Sequence, residues 1–350
     1  MKHWWKILSV MILLYVMTIG LMAPLSPGIT SVTPITAKTG GQISVDVTGY
    51  NSNYTKSKEI IRAWLYLDTL HAVCSDAIKV IDDTHLEIAF TIPNDLPVKG
   101  ERASANLLIN TDKDGTSLNP AAISISRNSV NNSEIKADWI SCSIDNLFVN
   151  EQYDYPFRNI LGETIRNLYF HVPMWFGMIF ILLASVIYSV KYLAKSNPIN
   201  DIKAQSYAAI GLIYGVMGLV TGGIWAEYTW GSFWSNDVKQ LTSVASLLIY
   251  LAYFVLRSSF EDTDKKARIS AVYNVFAFAA LVPLLFVIPR LFASLHPGNG
   301  GNPGFGGEDL DNTMRTVFYP AVIGWTLLGF WMGQLLYRYG NIRRKMYDDF

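Results

Sequence analysis

Six long apolar stretches constrain this 350-residue chain more than any other feature of its sequence. A helix needs about 20 mostly apolar residues to cross roughly 30 Å of hydrocarbon, and each stretch approaches or meets that length. The residues are 51% hydrophobic and only 16% charged, whereas roughly 25% are charged in soluble proteins. The sequence therefore predicts a polytopic membrane protein with six spanning helices. They cover about 4–23, 170–192, 206–226, 241–257, 270–292 and 315–337.

The distribution of Lys and Arg predicts the orientation of these spans. Basic residues accumulate in short cytoplasmic loops. They occur at the N-terminus, in the loops at 191–205 and 257–268, and in the C-terminal tail. The alternate loops are nearly free of them, since 226–240 contains only Lys239 and 293–314 contains none. We therefore expect both termini to lie in the cytoplasm.

The chain is predicted to contain three parts. Residues 1–24 form a transmembrane anchor helix, because a long apolar run without a small-residue cleavage site favours an anchor over a signal peptide. Residues 25–150 form a domain outside the membrane, and residues 151–350 carry the other five helices. In the middle part, alternating runs such as Ile43–Val47 are separated by turn residues such as 93–95, which is typical of β-strands. The predicted fold class is an all-α polytopic membrane protein with an inserted extracytoplasmic β-sandwich-like domain, of immunoglobulin type.

The two cysteines, Cys74 and Cys142, both lie in the predicted outer domain. A disulfide between them is compatible with an oxidising compartment, and two free thiols are the alternative. They are too isolated in the sequence to form a metal motif. The formal net charge of zero argues against a nucleic-acid partner held through phosphate contacts.

Three features near the predicted outer ends of the spans carry chemistry. His171 lies at the outer end of the second span, and His296 lies just past the outer end of the fifth. Between them in the sequence, the loop at 225–240 is rich in aromatic residues. Each feature has an ordinary explanation by itself, since aromatic and amphipathic rings are common at membrane interfaces. The combination on one face indicates a binding site. The loop residues singled out are Trp225, Trp230, Trp234 and Asp237.

Two imidazoles beside a flat aromatic platform suit haem. Iron accepts an axial nitrogen from each side, and indole rings bury the apolar edge of the porphyrin. Cationic side chains can hold the propionates. Zinc is the rival, but two histidines without nearby cysteine or carboxylate partners make a weak zinc site. The cationic candidates near this face are Lys239, Arg290 and Arg315.

At these residues the chain resembles the cytochrome c maturation haem exporter protein C family. Residues 162–173 are similar to the family's Gly-Glu…Arg-Ile…Tyr…His-Val-Pro segment. Residues 221–225 resemble the approach to the family's tryptophan-rich loop, and 241–243 resemble its exit. His296 falls where the family has Leu-His. The resemblance covers residues 150–340 and the first span.

This resemblance implies roles for the residues and a task for the chain. His171 and His296 take the place of the family's axial ligands of haem b. The protein is expected to be non-enzymatic and to lie in the bacterial inner membrane, with its β domain in the periplasm. It is expected to present haem at the outer face and deliver it to a membrane-anchored haem chaperone, alongside other cytochrome c maturation membrane proteins. The haem platform falls on Trp225, Trp230, Trp234 and Asp237.

Two departures from the family pattern leave alternatives open. Asn236 stands where the family has the last tryptophan of the motif, so the maturation branch that the chain serves stays open. The inserted β domain is much longer than the family's usual segment and is expected to dock a partner or shield the haem. The alternative functions are a membrane subunit of a cytochrome c synthetase, an anchor for an outer interaction domain without a cofactor, and a transporter. A transporter is disfavoured because the middles of the spans contain essentially no ionisable residues.

The fifth span and the segment after it contain breaker residues. Pro283 and Pro289 are expected to kink the span and aim His296 inward. The glycine-rich segment 298–307 lacks the Gly-Lys-Ser/Thr of a phosphate loop, so we predict a flexible lid or tether there.

Overall fold

The computed structural model describes residues 3–57, 60–128, 138–140, 142–150, 152–296 and 310–348. The chain divides into two compact units. One, here called the β unit, comprises residues 24–162. The other, the membrane unit, comprises residues 1–23 together with 163–350.

The membrane unit is built from six long helices, each long and apolar enough to cross a membrane. The predicted six spans are thereby confirmed, and the chain is a multi-pass membrane protein. A 3₁₀ helix at Gly162–Asn167 precedes α2, and a π-helical turn at Pro283–Val287 followed by a 3₁₀ turn at Ile288–Arg290 continues α5. The helices are α1 Trp4–Met22, α2 Leu168–Lys195, α3 Pro198–Trp230, α4 Val238–Ser258, α5 Thr263–Val282 and α6 Asn312–Asp348.

Capping residues set the ends of several helices. α3 begins at Pro198, whose fixed φ suits the first helical position, and the Asn197 side chain accepts a hydrogen bond from the backbone N of Ile199 at 2.9 Å. The same helix ends at Gly231, which adopts a φ of 75° that favours glycine. α4 begins after Asp237, whose side chain caps it. That cap also belongs to the site described below.

Small and polar residues hold α2 against its neighbours. Gly211 of α3 allows close packing, because a Cβ there would lie 2.4 Å from Cδ2 of Leu182. Asn274 of α5 donates hydrogen bonds to the hydroxyl oxygens of Ser185 at 2.7 Å and Ser189 at 2.9 Å. All three polar side chains are buried, so these hydrogen bonds link α2 to α5 inside the unit.

The β unit is a sandwich of two sheets. One sheet has the strand order β1-β3-β7-β6, and the other has the order β2-β9-β8-β4-β5 with β2 parallel to β9. Buried side chains from both sheets form one hydrophobic cluster, which includes Val47 and Ile88 of the first sheet and Leu107 and Ile123 of the second. The strands are β1 Gly28–Thr33, β2 Thr36–Lys38, β3 Gln42–Tyr50, β4 Arg62–Tyr66, β5 Ala72–Cys74, β6 Ala77–Val80, β7 His85–Thr91, β8 Arg102–Thr111 and β9 Gly115–Ser126.

This strand order corresponds to the ABED and CFG sheets of immunoglobulin-like sandwiches, with one added strand at each edge of the second sheet. The label all-α is therefore a correct description of the membrane unit only, because the β unit is made of strands. A disulfide joins Cys74 of β5 to Cys142, with the two Cα atoms 5.6 Å apart. The structure thus contains the bonded form of the two alternatives left open by the sequence.

Candidate functional site

An open cavity of about 180 Å³ lies within the membrane unit, among α2, α3, α4 and the segment that follows α5. Both predicted ligands, His171 and His296, line it. The other lining residues are Trp175, Ile179, Gly218, Leu219, Gly222, Gly223, Lys239, Gln240, Thr242, Ser243, Leu285, Phe286 and Pro289.

His171 lies one turn into α2 and is oriented by the backbone of α3. Its Nδ1 is 2.9 Å from the carbonyl oxygen of Gly218 and 3.3 Å from Oγ1 of Thr221. A carbonyl oxygen only accepts hydrogen bonds, so Nδ1 of His171 carries the proton and donates the hydrogen bond. The lone pair therefore resides on Nε2, the nitrogen left to bind a metal.

The approach of α2 to α3 at His171 depends on a glycine. A Cβ at Gly222 would lie 2.5 Å from Cε1 of His171, closer than non-bonded carbon atoms can stand. The imidazole ring also has edge contacts with Trp175 and Trp225, at centroid distances of 6.3 and 5.9 Å. The ring position is therefore determined on several sides.

His296 is oriented by a side chain instead of the backbone. Its Nδ1 is 2.9 Å from Oδ1 of Asp237. A carboxylate accepts, so Nδ1 again donates and Nε2 again keeps the lone pair. The ring of Trp230 packs edge-on against the imidazole at a centroid distance of 4.7 Å. Both histidines thus keep the lone pair on Nε2, the nitrogen available to bind a metal.

Asp237 joins the loop before α4 to the segment that carries His296. Besides capping α4 through the backbone N of Lys239 at 2.9 Å, it accepts from the backbone N of Leu295 at 2.8 Å and from Oγ of Ser294 at 3.1 Å. Its side chain is only 2% exposed. Sequence reasoning assigned Asp237 to a haem platform, whereas the structure places it beside His296 as a positioning residue.

The protonation states of this pair follow from burial and hydrogen bonding. Burial alone raises the pKa of the Asp237 carboxyl, but the donors from Leu295, Ser294 and Lys239 together with His296 hold it below its ordinary value. Burial lowers the pKa of the His296 imidazole below its ordinary value, against the opposing effect of Asp237. The arrangement therefore contains an ionised carboxylate and a neutral imidazole, which is the form that binds metals.

Two of the tryptophans predicted to lie in a loop at 225–240, Trp225 and Trp230, belong to the last turns of α3 instead, because the helix continues to residue 230. Trp225 and Trp230 contact the rings of His171 and His296, and Trp225 donates from Nε1 to Oγ1 of Thr164 at 3.1 Å. Trp234 is 37% exposed, and its Nε1 donates to Oδ1 of Asn236 at 2.7 Å. Within the part of the chain that the structure describes, these three tryptophans are absent from the cavity lining.

The predicted cationic residues occupy different places. Lys239 lines the cavity. Arg290 is exposed and directly follows the lining residue Pro289. Arg315 lies on α6, where its guanidinium donates to Oδ1 of Asn312 at 3.0 Å, and it is absent from the described part of the lining. The glycine-rich segment 298–307 lies outside the described residues.

Sequence reasoning missed several lining residues. Trp175 follows His171 by four residues, so a helical reading puts both on one face, and that spacing was the available signal. On α4, Gln240 lines the cavity and closes the preceding loop, since its Oε1 accepts from the backbone N of Ser235 at 2.9 Å. Leu285 and Phe286 reach the cavity from the π-helical turn, for which no sequence pattern was available. π-turns inside helices are frequent at functional sites.

Fold and site together define a class: a multi-pass membrane protein in which two histidines, each with Nε2 available, line one largely apolar cavity beside the tryptophan-rich end of α3. The family model described as CcmC, heme exporter protein C, matches residues 148–349. The chain belongs to the heme exporter protein C family. The β unit lies almost entirely outside the matched segment.

Individual relatives agree with this membership. The chain is similar to heme exporter protein C of Bradyrhizobium diazoefficiens, with 28% identity over 169 residues that cover 48% of this chain and 63% of that protein. The corresponding protein of Paracoccus denitrificans is 28% identical over 172 residues, or 48% of this chain and 69% of that protein. A Marchantia polymorpha protein is 37% identical over 90 residues, which are 26% of this chain and 40% of that protein. Its name describes it as a ccmC-like mitochondrial protein of cytochrome c biosynthesis.

Proposed function

We propose that this chain binds haem b in the cavity, with Nε2 of His171 and Nε2 of His296 as axial ligands, and handles it in cytochrome c maturation. The observation that carries the proposal is the fixed tautomer of both histidines. Each Nδ1 donates to a protein acceptor, and both rings line one cavity. Haem iron takes one axial nitrogen from each side, and a hydrogen bond on the far nitrogen orients such a ligand.

The cavity suits haem because its walls differ in polarity. α4 contributes a polar side with Lys239, Gln240 and Ser243. The other walls are apolar and aromatic, with Trp175 and Phe286 among them. A porphyrin has one edge with two propionates and an otherwise apolar surface. The propionates would lie against the α4 side, where Lys239 supplies a cation, and the apolar edge against the opposite walls.

We propose that this chain handles haem and does not form the covalent bond between haem and a cytochrome. His171 is set within a helix, while His296 lies on a short segment anchored by Asp237, so one ligand can separate from the iron without unfolding a helix. Haem would be presented at the outer membrane face and passed to a membrane-anchored haem chaperone, together with other cytochrome c maturation membrane proteins. The relatives' printed names, heme exporter protein C and cytochrome c biosynthesis, support this task.

The proposed location is the bacterial inner membrane, with both termini in the cytoplasm and the β unit in the periplasm. Basic residues accumulate in the loops assigned to the cytoplasm. The bond between Cys74 and Cys142 supports the same orientation, because structural disulfides persist in oxidising compartments.

The test is cytochrome c maturation in cells that lack the chromosomal copy of this gene. Covalent haem on a c-type cytochrome, detected by haem staining of a denaturing gel, should return with the wild-type chain. It should not return with His171→Ala or His296→Ala. Full restoration by the variant lacking both histidines would contradict the proposal and favour an anchor without a cofactor.

A second arm separates handling from synthesis. Haem-loaded purified protein is incubated under reducing conditions with a peptide containing Cys-x-x-Cys-His, and the peptide is examined by mass spectrometry. We expect no haem adduct. A thioether-linked adduct formed by this chain alone would show that it is a synthetase.

A further inference from the structure

Two lysines converge on one aromatic ring at the end of the membrane unit away from the haem cavity. Nζ of Lys191, on α2, lies 5.1 Å from the ring centroid of Tyr188. Nζ of Lys203, on α3, lies 4.9 Å from the same centroid and 5.2 Å from the ring centroid of Tyr337 on α6. These residues, Tyr188, Lys191, Lys203 and Tyr337, are called the lysine–tyrosine cluster. Three helices contribute to it.

The cluster is held in place by packing beneath it. The ring of Tyr188 stacks on that of Tyr207 with centroids 5.7 Å apart and planes 8° apart. Tyr207 is buried and has an edge contact with Phe330 of α6 at 5.8 Å. The aromatic surface that receives the two ammonium groups is therefore fixed by α2, α3 and α6 together. A preformed surface loses little conformational entropy when it binds a ligand.

Among the described residues, the two positive charges, those of Lys191 and Lys203, have no carboxylate counter-charge at salt-bridge distance. The acidic residue nearest to Lys203 along α3, Asp201, is bound by Arg257, whose Nη1 donates to its Oδ1 at 2.7 Å. Two ammonium groups near one ring repel each other, and cation–π attraction offsets only part of that repulsion. An external anion between the two ammonium groups would neutralise their charge and remove the repulsion.

The position of the cluster indicates the source of the anion. Lys191 lies near the last turn of α2, Lys203 lies near the first turn of α3, and the turn at Ser196 and Asn197 connects them, so the cluster is at the membrane surface. Just below it, the apolar side chains of Ile187 and Val190 are exposed on the lipid-facing side of α2. Phosphate above acyl chains is the arrangement of a phospholipid, and basic pockets between spanning helices bind anionic headgroups.

We propose that the lysine–tyrosine cluster binds the phosphate of an anionic phospholipid. The ammonium groups of Lys191 and Lys203 contact the phosphate, Tyr188 and Tyr337 hold the two lysine side chains in place, and the acyl chains lie along α2. This proposal does not depend on the haem function or on which side of the membrane the cluster faces. Failure of either proposal leaves the other standing.

The test is lipid binding by the purified full-length chain, measured by native mass spectrometry during titration with phosphatidylglycerol or phosphatidylcholine. The wild type should bind phosphatidylglycerol more tightly than phosphatidylcholine. K191Q/K203Q should weaken phosphatidylglycerol binding about 30-fold, since each lysine near a lipid surface contributes roughly a factor of five. K195Q/K345Q is the matched control, because it removes the same charge from exposed residues outside the cluster and should change binding little.

Three outcomes would overturn the proposal. Equal losses in the two double variants would mean that general surface charge attracts the lipid. Equal binding of both lipids by the wild type would mean that the cluster does not select an anion. A third arm uses inorganic phosphate in phosphatidylcholine nanodiscs, and thermal stabilisation by phosphate through the same two lysines would assign the site to a soluble ligand. K191R/K203R, which keeps the charges, should retain binding and so exclude misfolding as the cause of the loss.

Discussion

The two histidines of the cavity are held by different parts of the structure. His171 lies within α2, and its Nδ1 donates to the backbone of Gly218, one turn before Gly222, which allows the close approach of the ring. His296 follows the last helical turn of the fifth span, and its Nδ1 donates to one carboxylate, that of Asp237. One imidazole is therefore positioned by helix packing and the other by a hydrogen bond to a side chain.

This difference agrees with the proposed release of haem from the site. A ligand built into a helix interface keeps its position whether or not haem is bound. A ligand on a short segment moves at lower free-energy cost, because only local contacts are lost. We therefore expect His171 to define the binding position and the pair of His296 and Asp237 to control retention and release.

The largest effect on haem affinity is expected from a change that displaces His171, the histidine held by helix packing. A valine at Gly222 would displace the imidazole of His171, since even a Cβ at that position meets Cε1 at 2.5 Å. The bond to Gly218 would be lost, and haem affinity should fall on the order of 100-fold, as for the loss of an outer-shell partner of a metal ligand. Gly215→Val is the control, because its Cβ meets Leu247 and Met178 and not a histidine. Similar haem loss in both variants would mean that α3 packing in general, and not His171, is responsible.

A smaller effect on haem binding is expected when His296 loses its hydrogen-bond acceptor. Asp237→Ala removes the acceptor of His296 and should weaken haem binding about tenfold, with faster dissociation in stopped-flow transfer to apomyoglobin. Asn caps helices as well as Asp does, so Asp237→Asn separates the lost charge from the lost cap of α4. Asp201→Asn, at the far end of the membrane unit, is the matched control. An unchanged dissociation rate in Asp237→Ala would show that His296 is held by other contacts.

Recognition of the haem propionates should contribute less to haem affinity than the positioning of the two histidines. Lys239→Gln removes the cation that lines the cavity and should weaken haem binding about fivefold, the effect of a partly exposed ion pair. Arg315→Gln should have no measurable effect, because Arg315 is absent from the described lining. Equilibrium haem titration of both variants tests this. A larger loss in Arg315→Gln would reverse the assignment and return Arg315 to the site.

The smallest effect is expected from the β unit. Replacing residues 25–161 by a short Gly/Ser linker is feasible, because Nη1 of Arg166 donates to the carbonyl oxygen of Ala23 at 2.6 Å and the two ends of the membrane unit are close. The haem affinity of this shortened chain should stay within about twofold of that of the full chain, since all described lining residues belong to the membrane unit. Loss of haem by a correctly inserted shortened chain would place part of the site in the β unit.

Much of the fold could be predicted because its signals are local. Apolar runs of about 20 residues predicted six spans, although α3 begins eight residues before the predicted 206, since its first turns are polar. Alternation identified strand segments such as Ile43–Val47, which lies within β3. Strands such as β2 and β5 were missed, because three residues are too few to show a period.

The site was harder to predict because it depends on contacts between helices. Topology alone put His171 and His296 on one face, and the structure places both in one cavity. It does not place Trp225 and Trp230 in the described lining, because both lie at the end of α3 and pack against the histidines. The role of Asp237 depends on the turn that brings residues 294–296 next to α4, and no sequence pattern specifies that turn.

Axial ligation is tested most directly by a visible absorption spectrum of the detergent-purified, haem-loaded protein, oxidised and reduced, beside His171→Ala and His296→Ala. We expect the wild type to show a Soret band and sharp low-spin bands of two-histidine coordination. His296→Ala should retain haem with altered bands that imidazole restores, and His171→Ala should lose most of it. An unchanged low-spin spectrum in both variants, or a wild type that takes up no haem, would contradict ligation by these two histidines.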